Sequence, residues 1–147
     1  MKPKEMFFRL VIAVAFVSIA ATAQASKEFK STMKNEIGPA FKAIFVDVMK
    51  VGKITEQTQA ASLALVAGFM KVQNEVPQYR IDRSKPDGMR EATLKDQQEF
   101  KAMNADMLTH AQNLAAFISK NDIASAKAEL GQMNQLRESA HDAFKGE

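Results

Sequence analysis

The stretch Leu136-Arg137-Glu138-Ser139-Ala140-His141-Asp142-Ala143-Phe144 holds the residues best suited to cofactor chemistry. In the pattern C-x-x-C-H two thiols bond a porphyrin and the histidine ligates its iron. Here Arg137 and Ala140 stand at the two cysteine places and the histidine remains. A thioether link is therefore chemically impossible while an axial imidazole is still available, so any haem must be held without covalent bonds. The chain contains no cysteine at all, and stability has to come from packing rather than disulfides.

The elements that must carry this histidine follow from the apolar spacing, which is helical almost throughout. Four helices are predicted, roughly over 27–51, 55–74, 90–119 and 122–145. Between the second and third, Pro77, Pro86 and Gly88 with Asp82, Arg83, Ser84 and Lys85 read as one long connection. Gly52-Lys53 and Asn121-Asp122 mark tight links, Gly52 as a helix stop and Asp122 as an N-cap. Pro39 is expected to bend the first helix without ending it, because Phe41, Ile44, Val48 and Val51 carry the apolar stripe onward. Two short links and one long one predict an all-α fold: an antiparallel up-down-up-down four-helix bundle with its longer connection between helices 2 and 3.

On such a scaffold the donors can be placed. At about 100° per residue, Ile123, Leu130 and His141 point within roughly 20° of one another, and Arg137 lies one turn before the histidine. Met33 shares its face of the first helix with Ile37, Ala40, Ile44 and Val51, so its thioether is predicted to point inward. The start of the first helix and the end of the last are neighbours in an up-down-up-down bundle. One thioether and one imidazole can therefore meet at the same depth. Met and His form an axial pair in which the sulfur favours ferrous iron and raises the potential; with both positions filled, electron transfer is the expected role.

The residues resemble a known family. Met33 to Ile44, followed by Lys50-Val51-Gly52-Lys53-Ile54, is similar to the Met-Lys start and Lys-Gly-Lys link of the four-helix-bundle cytochromes, which include cytochrome c′, its low-spin Met/His relatives and cytochrome b562. The closing segment matches their C-terminal haem helix apart from the cysteines, and an arginine four residues before the histidine is what the b-type branch has there. The resemblance spans nearly all of 26–147. It implies haem b held non-covalently, with Met33 and His141 on the iron, Arg137 on a propionate or the porphyrin edge, and a redox partner protein. Phe100, Met103 and Met107 are candidates for the haem-facing wall, and core residues in any bundle. Tyr79, the single tyrosine, falls in the long connection.

Two other readings use overlapping residues. Met103, Met107 and His110 stand at i, i+4 and i+7, a soft donor set suited to a Cu(I) carrier. A haem-free bundle acting as a periplasmic interaction or stress protein keeps Met33 as packing and His141 as a relic. Nothing suggests an enzyme: no Ser/His/Asp constellation, no cysteine nucleophile and no glycine-rich phosphate loop can be assigned, and the chain has two histidines.

Lys2, Lys4 and Arg9 precede an apolar run from Leu10 to Ala21, and Ala23-Gln24-Ala25 supplies the small residues of a cleavage site, so 1–25 is predicted to be a secretory signal peptide and 26–147 one periplasmic domain. The run is short for a membrane span, and no stable membrane anchor is expected after cleavage. The leader holds three of the 20 basic and one of the 17 acidic residues, which leaves the domain a net charge of only +1. With no basic stripe interleaved with aromatics, no nucleic-acid partner is expected.

Overall fold

The computed structural model describes residues 27–144; the predicted signal peptide lies outside them. The first helix, α1, covers 27–51 and runs through Pro39 without a break, as expected. Proline cannot donate to the ladder and its ring crowds the carbonyl one turn back. The helix answers by widening before it: Met33–Ile37 is a π-turn in which the Gly38 N–H reaches back to the Met33 carbonyl. A Cβ on Gly38 would stand 2.9 Å from that same oxygen, so the widened turn needs glycine there. A second π-turn, Val46–Val51, ends at Gly52, whose φ of +76° stops the helix.

Helix α2, Glu56–Val72, begins with a reciprocal capping box between Thr55 and Thr58. Thr58 also donates to the Asp47 carboxylate at 2.8 Å, which ties the α1–α2 link together. At Gly68 a Cβ would meet Ile37 Cγ1 at 2.6 Å, so glycine lets α1 and α2 approach closely. The connection that follows is more than a loop. Tyr79–Ile81 (β1) pairs antiparallel with Met89–Glu91 (β2), Tyr79 opposite Glu91 and Ile81 opposite Met89. Its turn uses the Asp82 carboxylate as acceptor for the Ser84 amide and hydroxyl, with Gly88 at φ +78°.

Helix α3, Leu94–Ser119, starts four residues later than the spacing predicts, because Arg90 and Glu91 belong to β2 and Thr93 with Asp96 forms the capping box. Helix α4, Ile123–Phe144, starts from Asp122, whose carboxylate accepts the Ser125 amide and is held below the usual carboxylate range by that bond.

The described chain is thus four helices and one small strand pair. The strands are the departure from an all-helical chain. Buried residues recur at 58, 62, 65, 69, 72 on α2 and at 100, 104, 107, 111, 114, 118 on α3. That alternation of four and three puts the buried residues of each helix on one face. The fully buried side chains come from all four helices: Ile44 and Val48, Leu65 and Val72, Leu114 and Ile118, Leu130 and Met133. Each such side chain contributes about 1.5–3 kcal/mol through removal from water.

Candidate functional site: the hairpin end and a histidine pair in the α3–α4 groove

Where the hairpin meets the start of α3, charged side chains do the fastening. Arg80 donates to Asp96 at 3.3 Å and to Glu99 at 2.7 Å, while Arg90 donates to Asp96 at 2.6 Å. Asp96 also accepts the Thr93 amide, so hydrogen bonds from Arg90 and then Thr93 hold its carboxyl well below the usual range. The Arg80 guanidinium lies 5.0 Å from the centre of the Phe144 ring, linking the hairpin to the end of α4. Phe144 meets Phe100 edge-on at 5.1 Å, and Phe100 meets Phe29 at 5.4 Å. Three helices thus contribute one ring each to a single cluster.

The predicted donors flank these rings. Met33 is one turn beyond Phe29, partly buried in the π-turn and packed against the core. His141 is partly buried in the last turn of α4, three residues before Phe144. Arg137 is directed otherwise than toward a solvated surface: its Nη2 donates to Asn134 at 2.7 Å, and its guanidinium lies 6.0 Å from the Phe41 ring of α1. Of the predicted wall, Phe100 is in the ring cluster, Met107 is in the core and Met103 is partly buried.

Glu75, between α2 and β1, went unnoticed in the sequence. Its Oε1 is buried without a hydrogen-bond partner, and burial, with the charge of Glu28 adding to it, pushes its carboxyl up to about 7. No local pattern marks it, since its neighbours are ordinary loop residues.

His110 is the other chemically active group. Of the three residues read as a soft donor set, Met107 is in the core, Met103 is partly buried, and His110 Nδ1 is hydrogen-bonded to Glu129 of α4. Asn113 Nδ2 reaches the same Glu129 oxygen at 3.4 Å. A signal for this pair did exist, because Glu129 sits on the buried stripe with Ala126, Leu130 and Met133. Among the described residues no three histidine, cysteine or carboxylate side chains converge to hold a metal, and no helix is long and apolar enough to cross a membrane. No family model, curated protein or solved structure matches this chain.

Proposed function

We propose that this chain is a periplasmic electron carrier: an antiparallel up-down-up-down four-helix bundle holding one haem b without covalent bonds, Met33 and His141 on the iron. The observation that carries the reading is that Met33 follows Phe29 by one turn on α1 and His141 precedes Phe144 by three residues on α4, while both of those rings meet Phe100. Two contacts support opposite directions for α1 and α4. Phe41 lies against Arg137, and Phe29 shares the cluster with Phe144, so numbers rise along one helix as they fall along the other. In that register His141 is level with Ile37, and Met33 is about one turn (~5 Å) further along, within reach of two long side chains.

The donor chemistry fits the group. A thioether and an imidazole, both partly buried, are the two side chains that would hold the iron. Bound haem supplies a one-electron couple. Met33 would bias that couple toward the ferrous state and His141 would anchor the iron. Arg137 is the proposed propionate contact, made by releasing Asn134 on its own helix face.

The test is an absorption spectrum of protein expressed with its leader, oxidised and then reduced. A Soret band with low-spin features is expected, with haem that acid-acetone extracts. Met33→Ala should turn the spectrum high-spin and lower the potential, and His141→Ala should abolish the rise in melting temperature that haem confers. If added haem neither binds nor shifts melting, the rings are simply the closed end of a haem-free bundle that serves as an interaction module.

A further inference from the structure

Between α3 and α4 lies an open groove of about 500 Å³ lined by Asp106, His110, Gln132, Gln135, Leu136 and Ser139. Five of these six side chains are polar. His110 and Asp106 are four residues apart on α3, so they stand one above the other on the same face. The imidazole is not free to turn, because its Nδ1 is engaged by Glu129, and that carboxylate is itself buried. With Nδ1 facing the carboxylate, Nε2 is the ring nitrogen left for a ligand. Among the described residues Nε2 has no hydrogen-bond partner, and it belongs to the ring that lines the groove.

A histidine whose rear nitrogen is fixed by a buried carboxylate is the arrangement that orients an imidazole toward a metal and raises its basicity. As structural glue the pair has little to recommend it. The pair is part-buried, where a single polar contact adds little stability, and the flanking stripe is apolar. We propose that the groove binds a first-row divalent cation of the zinc class. His110 Nε2 and the Asp106 carboxylate are its two protein ligands, and Glu129 is the positioning residue behind the histidine. One nitrogen and one hard oxygen suit Zn²⁺ or Cu²⁺ rather than Mg²⁺ or Ca²⁺, which favour oxygen alone. Water and the side-chain oxygens of Gln132, Gln135 or Ser139 complete the shell. With only two strong donors the site is open and exchanges its metal readily, unlike a closed structural zinc site.

Leu136 and Ser139 of the groove neighbour Arg137 and His141 on α4, so His141→Ala, which should bind Zn²⁺ as the parent chain does, separates this site from the proposed haem site. Calorimetric titration of Zn²⁺ into the purified full chain tests the proposal, with Mg²⁺ as the control and NMR of the two histidine rings as the reporter. Expected are one-site Zn²⁺ binding, no Mg²⁺ binding, and zinc-dependent movement of the His110 ring signals. Asp106 is exposed, so Asp106→Ala should leave melting unchanged while weakening Zn²⁺ binding at least about tenfold. Glu129→Gln keeps an acceptor for Nδ1 but removes the charge, and should weaken binding about tenfold. The proposal is overturned if Zn²⁺ leaves the His110 signals in place, or if Asp106→Ala binds as tightly as the parent chain. Either result is readable even if His110→Ala fails to fold.

Discussion

The two short links and the hairpin close the molecule by different means. At the links the bonds are local: the Gly52 and Lys53 amides both donate to the Asp47 carbonyl, Thr55 and Thr58 cap each other, and Asp122 caps Ser125. At the hairpin, Arg80 and Arg90 reach forward to Asp96 and Glu99, and rings from α1, α3 and α4 meet. The difference teaches where this protein can respond to its surroundings. The backbone and hydroxyl bonds of the Gly52 link carry no titrating group of their own, and the Asp122 cap is a single carboxylate. An end held by carboxylates, guanidiniums and rings from distant positions responds to pH, and Met33 and His141, the proposed haem ligands, lie within four residues of two of its rings.

The sharpest way to break the comparison is Asp96→Ala. It removes the partner of two arginines and one half of the α3 capping box together. We expect the largest fall in melting temperature of the three changes here, with the hairpin amides losing hydrogen-exchange protection while those around Gly52 keep theirs. The pH dependence has a definite sign. The folded carboxyl lies below its unfolded value, so its contribution is complete above the ordinary Asp range and is lost as pH falls through the folded pKa. Equal loss of protection at both regions would show that the hairpin is not a separable closure.

Glu75→Gln sharpens the comparison from the other side. A carboxyl raised from 4.5 to about 7 keeps a proton that the unfolded chain releases, so stability should decline as pH rises across that window. The amide variant should flatten the decline and be the more stable protein above pH 7, on the order of 1 kcal/mol once solvent screening of this half-exposed group is allowed for. Thermal melts of both proteins between pH 4 and 8 check it, and parallel curves would remove Glu75 from the account. The smallest effect is expected at the links. Thr55→Ala should cost about 1 kcal/mol by loss of one cap, with no change in pH profile.

Much of the helical layout was legible because its signals are short-range. Pro39 left α1 continuous, Gly52 stopped it, and Asp122 started α4, each through chemistry within a turn of the residue itself. The hairpin was read as plain connection for a physical reason. Its strands are three residues each, too short to display alternation, and their pairing depends on arginine contacts 6 and 16 positions away. Met33, Arg137 and His141 could be singled out by type and spacing. That Arg137 would turn to Asn134 and Phe41 could not.

What the sequence alone determined is which faces are apolar and where helices start and stop, since periodicity and capping are properties of neighbouring residues. Only the tertiary structure decided which side chains meet: Glu129 with His110 across nineteen residues, the three phenylalanines from three helices, and one oxygen of Glu75 buried without a hydrogen-bond partner. Such contacts depend on helix register and on close approaches such as Ile37 against Gly68. They are set by the packing of whole faces, which no local window of sequence contains.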